Sequence, residues 1–479
     1  MIRDSLVWLL TTFDWFVLIY FVAINTSYLA LIVFAIFSFK DHLRRAPIAR
    51  LEDIYANPLA PPVSVLMPAY NEEAGIVESV RAMLALRYPA LEVVVIDDGS
   101  SDGTLDRLDE VFDLVAVPRV QPGRIPLKGD VITVFESRLA DGLVVVQKRN
   151  GGRADALNVG IDFARSELIC MVDADSILDP DALLHVVQPF LDDPENVVGS
   201  GGVVRVVNDK TVKSGRVVDV HMPHKWLPRI QVVEYLRAFL LGRTGWSRIG
   251  TLMIVSGAFG LFRRDLLFEL GGLDTATIGE DAELVMRLHH LMRQQHREYK
   301  IVFVSEPVSW TEVPDTNAVL ARQRRRWSRG LAEVLWKHRS VMLNPRYGRV
   351  GMLGAPYYLV FELLAPIVEI FGVLAVVAGL WLGLVNIQFG IVFALVAVGY
   401  AVLISVTALA VEELSFHRYD DWADLRIALV AAVLENFGYR QLTAVWRLQG
   451  LWAALRGTAP EWGVMTRKGF NTVGAEAQP

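Results

Sequence analysis

The chain has 479 residues, of which 53% are hydrophobic, and its mean hydropathy of +0.36 is higher than soluble domains usually show. The formal net charge of −6 gives no support for nucleic-acid binding, which usually shows as a basic domain, and the one cysteine, Cys170, excludes an intramolecular disulfide. The apolar excess lies near the two ends of the chain, so the composition indicates membrane segments on either side of a polar body.

The first predicted element is an apolar stretch over residues 13–37, which carries one charge, Asp14, near its start. Crossing a bilayer takes about 20 apolar residues, so this stretch predicts a transmembrane helix. A signal peptide is the alternative, but the apolar core is too long and the residues before it are hardly basic. The basic segment 40–50 that follows favours the cytoplasmic side, so we expect the middle of the protein to be cytosolic.

Residues from about 60 to 340 predict an α/β domain. Short β-branched runs end in polar turns at three places, residues 63–72, 91–100 and 167–176. A helix-like stretch over 73–86 separates the first two runs, and residues 115–147 predict a hairpin or loop insertion. Strands that alternate with helices imply a mainly parallel sheet, in which ligands bind at the carboxyl ends of the strands.

The chain becomes apolar again after residue 349, where 359–385 and 389–411 predict two further spans. A fourth stretch, 425–448, contains four charged side chains, so it is predicted to be interfacial or packed in the helix bundle. The predicted organisation is an N-terminal transmembrane helix with its basic flank (1–45), a cytosolic α/β domain (46–345), interfacial and transmembrane helices (346–450), and a cytosolic tail (451–479).

The strand-end sequence "VDADS" places Asp173 and Asp175 two residues apart. Side chains two apart at a strand end point the same way, so both carboxylates can approach one divalent cation. Mg²⁺ and Mn²⁺ favour such oxygen ligands and commonly bridge carboxylates and phosphates. The alternative is a simple Asx turn, and "DDGS" (97–100) is also a good turn sequence. No P-loop or G-x-G-x-x-G fingerprint occurs, which disfavours a standard NTPase or Rossmann dehydrogenase.

Seven polar motifs follow one another between about residues 60 and 330: "PAYNE" (68–72), "DDGS" (97–100), "NGGRADALN" (150–158), "DAD" (173–175), "SGAFGLFRR" (256–264), "GED" (279–281) and "QRRRW" (323–327). Taken in this order, they resemble the motifs of family 2 inverting glycosyltransferases, and most closely those of the membrane-embedded processive branch with cellulose, hyaluronan, chitin and poly-N-acetylglucosamine synthases. This resemblance implies a GT-A-type nucleotide-sugar-binding domain with a mainly parallel sheet, flanked by transmembrane and interfacial helices. Two departures are Gly279, where the family often has threonine, and Arg153, where it usually has lysine.

The resemblance implies a role for each polar motif in binding the nucleotide-sugar. Tyr70 would stack on the base unless it is a strand-end core residue, and Asp98 would support the turn or share the base contact of Asp97. Asp175 would coordinate the metal, and Asp173 would contact the metal or the ribose. The full implied set is Ala69, Tyr70, Glu72, Asp97, Asp98, Arg153, Asp155 and Asp173 for the nucleotide-sugar, with Asp173 and Asp175 for Mg²⁺ or Mn²⁺.

Sugar transfer also needs a base for the acceptor hydroxyl, and Asp281 with its neighbour Glu280 is the predicted catalytic pair. Asp281 opens a predicted helix whose amino-terminal dipole favours an anion, although a simple helix cap is the alternative. Acceptor contacts are assigned to Ser256, Gly257, Trp310 and Trp327. Trp310 is equally consistent with a core residue.

Five arginines and a tryptophan crowd residues 321–330, before the second apolar region. On a helix, Gln323, Arg326 and Trp327 share one face, which suits a diphosphate leaving group and a sugar ring. They complete the predicted catalytic set. The remaining arginines, 322, 324, 325 and 329, are predicted to form a collar that faces anionic lipid headgroups.

These observations predict a metal-dependent inverting glycosyltransferase in the bacterial inner membrane, with its catalytic domain cytosolic. It would transfer sugar from a nucleotide-sugar, with a UDP-sugar preferred, to a growing β-linked polysaccharide and couple this to export. Its partners would be the donor, a polysaccharide or glycolipid acceptor, membrane lipids and an accessory export subunit, with no nucleic acid. Two alternatives remain open: transfer of one sugar to a lipid, and a non-catalytic export subunit.

Overall fold

The computed structural model of the chain describes residues 2–45, 51–213, 216–217, 219–416, 421–457 and 471–472. Most of the predicted tail therefore lies outside the described residues, as does the end of the basic segment at 46–50. The chain divides into two compact units. The sheet unit comprises residues 40–223, 250–313 and 464–479, and the helical unit comprises residues 1–39, 224–249 and 314–463.

The strands follow the apolar runs of the sequence and are short, as strands between polar turns usually are. In chain order they are Val63–Ala69 (β1), Leu91–Asp97 (β2), Leu114–Ala116 (β3), Val131–Ser137 (β4), Leu143–Lys148 (β5), Leu168–Val172 (β6), Ser176–Leu178 (β7), Val197–Val206 (β8), Thr211–Lys213 (β9), Arg216–Val217 (β10), Phe259–Arg263 (β11), Lys300–Thr311 (β12) and Asn471–Thr472 (β13).

The α-helices are Ile2–Arg45 (α1), Leu51–Tyr55 (α2), Ile76–Leu84 (α3), Thr104–Phe112 (α4), Arg153–Phe163 (α5), Ala182–Asp192 (α6), Trp226–Tyr235 (α7), Thr244–Arg248 (α8), Arg264–Glu269 (α9), Glu280–Gln294 (α10), Asn317–Lys337 (α11), Ala355–Tyr357 (α12), Ala365–Trp381 (α13), Ile387–Ala394 (α14), Tyr400–Phe416 (α15), Trp422–Leu434 (α16) and Arg440–Arg456 (α17). Among the described residues, π-helical segments join some of them at Leu236–Arg243, Val350–Gly354, Tyr358–Leu363 and Leu395–Gly399, and 3₁₀ turns lie at Arg339–Val341 and Pro345–Tyr347. Glu435–Tyr439 is a kink between α16 and α17, where Phe437 and Gly438 have non-helical backbone angles.

The sheet unit is built on a ten-stranded sheet in the order β3-β4-β5-β2-β1-β6-β11-β8-β12-β7. Within it, β5, β2, β1 and β6 are parallel neighbours, and only β4, β11 and β7 run against the common direction. The central strands β1, β2 and β6 are almost wholly buried, which is expected where both faces of a parallel sheet are covered. The predicted α/β class with a mainly parallel sheet is confirmed, and the insertion forms the predicted hairpin β4–β5.

The helical unit contains two helices that are long and apolar enough to cross a membrane, Leu10–Lys40 and Ile387–Ser415, by length and composition among the described residues. They match the predicted spans at 13–37 and 389–411. The predicted span at 359–385 falls on a pair of helices, Val350–Leu363 and Ala365–Trp381, which are bent by 43° and would make a third span if the pair crosses as one. Pro366 explains the break, because proline lacks the N–H that a continuous helix would need there.

Arginine–glutamate pairs hold the helical unit together internally. Arg237, between α7 and α8, donates to Glu435 at 2.5 Å and 2.9 Å. Arg440 donates to Glu369 at 2.5 Å, and Arg447 donates to Glu362. These pairs pack the stretch 425–448 within the unit, which favours the bundle alternative over an interfacial one.

Residues 224–249 belong to the helical unit, whereas the sequence analysis placed them within the α/β domain. Their arginines make a bilayer segment unattractive, and hydropathy therefore gave no sign of this association. The partner of Arg237 is a glutamate almost 200 residues away in the chain, so only the folded unit shows how its charge is balanced.

Candidate active site

Four of the polar motifs meet at one edge of the sheet. Strand β1 pairs with β2 in a register that places Ala69 beside Asp97. On its other side, β2 pairs with β5, which places Asp97 beside Gln147. Strand β6, which ends just before Asp173, lies on the other side of β1. Because these strands are parallel, their carboxyl ends form a common edge, where ligands of open α/β sheets bind.

The first two turns at this edge are tied to each other. The Asn71 N–H donates to Ser100 Oγ at 3.0 Å, and the Ser101 N–H donates to Asn71 Oδ1 at 2.8 Å. Asn71 adopts a φ of 56°, in the left-handed region that asparagine tolerates. Tyr70 beside it is 52% exposed, so the strand-end core alternative does not describe this ring. The side chain is therefore accessible to a ligand.

Asp97 is buried at the same edge, with 2% of its surface exposed, and its Oδ1 accepts the Ser100 N–H at 3.1 Å. Burial raises the pKa of Asp97, although the hydrogen bonds from Ser100 act in the opposite direction. Ala69 contributes its backbone, since its carbonyl accepts the Asp98 N–H at 2.9 Å. Glu72 is half-buried, and its N–H donates to Thr104 Oγ1 at 2.9 Å.

A buried lysine that the sequence analysis missed organises the next loop. Lys148 is 0% exposed, and its Nζ lies 2.5 Å from Asp98 and 2.9 Å from Asp155. Asp98 also accepts the N–H groups of Gly151 and Gly152 at 2.9 Å and 2.8 Å. This geometry fits the predicted turn-supporting role of Asp98.

Asp155 is used in the same internal way. Its carboxylate accepts the N–H groups of Lys128 and Gly129 at 2.7 Å and 3.0 Å, and it is 0% exposed. With Lys148, three donors of the fold itself therefore bind this carboxylate. The predicted direct contact between Asp155 and the nucleotide-sugar does not fit this burial.

Arg153, at the start of α5, joins three of the predicted motifs. Its Nε and Nη2 lie 2.8 Å and 2.7 Å from Asp173 Oδ1, its Nη1 donates to Glu280 Oε1 at 2.6 Å, and its Nη2 donates to the Gly257 carbonyl at 2.7 Å. Burial opposes the charged form, but Asp173 and Glu280 together raise the pKa of Arg153 above its ordinary value. Burial raises the pKa of Glu280, which Arg153 counteracts.

Asp281 lies next to this cluster in the first turn of α10. It is half-buried, and its Oδ2 accepts the Gly257 N–H over a long 3.3 Å, while Oδ1 accepts the Ala282 N–H at 2.8 Å. Asp281 therefore contacts both its own helix and the loop of Ser256 and Gly257. In that loop, Ser256 Oγ accepts the Ala258 N–H at 3.4 Å.

Asp175 faces a second residue that the sequence analysis missed. Strands β12 and β7 pair antiparallel with Thr311 beside Ser176, so the next pair along places Glu312 beside Asp175. Burial, with the negative charges of Asp173 and Glu312, raises the pKa of Asp175 to about 7. Like charges placed opposite each other on neighbouring strands repel, so a cation would stabilise this end of the sheet.

The carboxylates fit a divalent cation that is shared with a phosphate ligand. Among the described residues, no group of three or more His, Cys, Asp or Glu side chains is placed to hold a metal ion by itself. Mg²⁺ is usually held by one or two carboxylates together with substrate phosphates rather than by such a group. Asp173 and Asp175 supply such a pair.

Trp310 is a core residue. It is 2% exposed in β12, belongs to the main hydrophobic core of the sheet unit, and donates its Nε1–H to Asp179 Oδ1 at 2.7 Å. The positively charged groups of Arg205 and Lys210 lie over its ring. The predicted role of Trp310 as a sugar platform does not fit this environment, so the core alternative describes it.

The Q-x-x-R-W residues lie on α11, in the helical unit. Trp327 is 39% exposed and Arg326 is half-buried, whereas Gln323 is 8% exposed. The predicted collar is wrong for Arg324, which is buried and donates to both oxygens of Glu234 at 2.8 Å and 2.7 Å. Arg325, the next residue along the helix, is exposed, so these two neighbouring arginines lie on different sides of α11.

Two family models match the part of the chain that carries the motifs. The model described as "Glycosyl transferase family 2" matches residues 64–125, and the one described as "Glycosyltransferase like family 2" matches residues 127–330. A poly-beta-1,6-N-acetyl-D-glucosamine synthase of Staphylococcus epidermidis is 29% identical over 273 residues, which are 57% of this chain and 55% of that protein. The probable glycosyltransferase YdaM of Bacillus subtilis (strain 168) is 29% identical over 283 residues, or 58% and 57%.

The chain thus spans little more than half the length of the curated relatives it matches. Among solved structures, the mannosyltransferase PcManGT from Pyrobaculum calidifontis, in complex with GDP-Man and Mn²⁺, aligns at 21% identity with a TM-score of 0.48, covering 88% of this chain and 99% of that chain. The two family models together cover the part of the chain that carries every motif from "PAYNE" to "QRRRW". Residues 64–125 and 127–330 therefore carry glycosyltransferase family 2 sequence.

Proposed function

We propose that this protein is a membrane-embedded inverting glycosyltransferase that uses a nucleotide-sugar, with a UDP-sugar preferred, to extend a β-linked polysaccharide. The observation that carries the proposal is the convergence of Arg153, Asp173, Gly257, Glu280 and Asp281 on one another from four separate motifs. Asp173 and Glu280 contact the guanidinium and Asp281 contacts Gly257, so carboxylates outnumber the one positive charge, and this excess negative charge suits a divalent cation that binds together with a diphosphate.

The two acids of the "GED" motif have different surroundings, which separates their roles. Glu280 is buried and its carboxylate is held by Arg153. Asp281 is more exposed, and its Oδ2 accepts only a long hydrogen bond. We assign Asp281 as the base that takes the proton of the acceptor hydroxyl, because an unencumbered carboxylate can reach a substrate proton. Glu280 acts by holding Arg153.

Asp173 and Asp175 would hold Mg²⁺ or Mn²⁺, which when bound offsets the negative charge that develops on the departing nucleotide diphosphate. Arg153 can share this task, since a guanidinium binds phosphate oxygens in a bidentate way. Tyr70 and Asp97 would bind the nucleotide base, by stacking and by hydrogen bonding. From the resemblance, Gln323, Arg326 and Trp327 are further proposed contributors, with Ser256 near the acceptor.

The membrane assignment and the product are parts of the same proposal. Two helices are long and apolar enough to span a membrane, which supports an integral membrane protein. The basic segment 40–50 after the first of them favours a cytosolic catalytic domain in a bacterial inner membrane. The matched relatives named as poly-beta-1,6-N-acetyl-D-glucosamine synthases favour a polysaccharide product, with a lipid or an accessory export subunit as further partners.

Release of the nucleotide tests this function directly. Purified full chain in detergent is supplied with Mg²⁺ or Mn²⁺ and a panel of UDP-sugars, and free UDP is measured. We expect release with one donor and loss of release when the metal is chelated. Absence of release with every donor would contradict the transferase function and favour a non-catalytic export subunit.

The size of the product distinguishes chain extension from single transfer. We expect the labelled sugar to appear in a long polymer that linkage analysis shows to be β-linked. A product of one sugar on a lipid, identified by mass spectrometry, would instead establish glycolipid synthesis by the same site.

A further inference from the structure

The side chain of Arg153 is held in one position by contacts with Asp173, Glu280 and Gly257. Four of its hydrogen-bond or ion-pair contacts are 2.8 Å or shorter, and its side chain is only 18% exposed. Gly257 leaves room for the guanidinium in this position, because a Cβ there would lie 3.0 Å from Nη2 and 3.2 Å from Nη1 of Arg153 and would push the side chain aside. The guanidinium is therefore held between the "DAD" and "GED" motifs by charge and by shape.

One of the carboxylates that hold Arg153 is also proposed to bind a divalent cation. Asp173, one of the two carboxylates proposed to bind the cation, already has its Oδ1 within 2.8 Å of two guanidinium nitrogens. A cation approaching Asp173 meets the positive charge of Arg153 and must share or displace it. Two like charges within about 5 Å repel even with the screening of water.

We propose that Arg153 acts as an internal counter-ion that competes with the divalent cation for Asp173 and so makes cation binding depend on the nucleotide diphosphate. This inference rests on the proposed function. Without a diphosphate, Asp173 and Glu280 hold the guanidinium and weaken the cation site. With it, phosphate oxygens replace Asp173 as partners of Arg153 while Glu280 still holds Nη1, and Asp173 is released for the cation.

Such coupling has a thermodynamic signature. If the diphosphate tightens cation binding through Arg153, the cation tightens diphosphate binding by the same factor. Removing the guanidinium should strengthen cation binding in the absence of nucleotide and reduce the factor by which nucleotide improves it. A residue that merely supports the fold would not produce this combination.

The test is a titration of the detergent-solubilised full chain with Mn²⁺, with and without UDP, in which bound Mn²⁺ is followed by electron paramagnetic resonance. Arg153→Gln should raise the Mn²⁺ affinity of the nucleotide-free protein by about tenfold or more, because a unit charge near the divalent cation is removed. UDP should then improve the affinity by a smaller factor than in the wild type. Arg138→Gln, at a side chain that is 66% exposed, is the matched control and should change neither value.

Arg153→Lys provides a second variant that keeps the positive charge but has only one nitrogen to replace the bridge between Asp173 and Glu280. It should give a smaller gain in Mn²⁺ affinity than Arg153→Gln, and it serves if the glutamine variant does not fold. An unchanged or weaker Mn²⁺ affinity in the folded Arg153 variants, an equal gain in Arg138→Gln, or no Mn²⁺ binding by any protein would overturn the proposal.

Nucleotide release by the wild type is measured in parallel, so the two ideas can fail separately. If release requires a metal but the Mn²⁺ affinity is the same in the wild type and the Arg153 variants, only the proposed competition between Arg153 and the cation is wrong. If the affinities shift as expected but no sugar donor releases its nucleotide, the proposed glycosyl transfer is wrong while the counter-ion role of Arg153 stands.

Discussion

The buried ion cluster of Lys148 gives a sharp prediction about stability. Replacing Lys148 by methionine keeps a side chain of similar length but removes the one positive charge between Asp98 and Asp155. Both carboxylates are 5% exposed or less at their side chains, so water cannot replace the ammonium group. We expect Lys148→Met to destabilise the sheet unit strongly.

The magnitude follows from the burial. Removing one partner of a buried ion pair costs about 3–5 kcal/mol, because the remaining charge is left without compensation. At about 2 °C per kcal/mol for a domain of this size, the melting temperature should fall by about 6–10 °C. The loss should be smaller in Lys148→Met/Asp155→Asn, because one of the two stranded charges is then also removed.

Thermal melting followed by intrinsic fluorescence measures this loss, and Lys300→Met is a matched control. Lys300 also forms a 2.5 Å contact with an aspartate, Asp193, but its side chain is 62% exposed. Exposed pairs contribute little to stability, so this variant should melt close to the wild type. If Lys148→Met and Lys300→Met melt at the same temperature, the reasoning from burial is refuted.

Three further predictions concern other sites. Trp310→Ala should cost about 3–5 kcal/mol by opening a cavity, whereas Trp327→Ala should leave the melting temperature nearly unchanged and slow sugar transfer. Arg324→Met should lower the melting temperature of the helical unit while Arg325→Met does not, and equal effects would contradict the inward pairing. Asp175, with its pKa raised to about 7, keeps a proton in the folded state that the unfolded chain loses near pH 4. The free energy of unfolding of the metal-free protein should therefore fall as the pH rises from about 4 to about 7, and Asp175→Asn should remove that part of the fall.

The sequence predicted the local features of the sheet unit well, because each depends on neighbouring residues. The apolar runs that end at Ala69, Asp97 and Val172 are strands, and their parallel order brings the following polar residues to one edge. The motifs that resemble family 2 enzymes also predicted that Arg153 and Glu280 belong to one site.

Features that depend on pairing between distant segments were not accessible in this way. Glu312 is placed beside Asp175 by the register of β12 on β7, which joins residues more than 130 positions apart. Lys148 is an exception to the rule that lysine stays at the surface, and only its two aspartates explain it. A signal was present in "WTEVP", where Glu312 follows the strand residue Trp310, but the sequence does not show which acid it faces.

Turnover by Asp281→Asn tests the central claim most directly, with Asp265→Asn as its control. Both aspartates lie in the first turn of a helix and accept the N–H of the following residue at 2.8 Å, but only Asp281 also contacts the loop at Gly257. The account predicts that Asp281→Asn lowers UDP release by about 10²–10⁴-fold while UDP still binds, and that Asp265→Asn releases UDP like the wild type. Full turnover in Asp281→Asn, or an equal loss in both variants, would contradict the account.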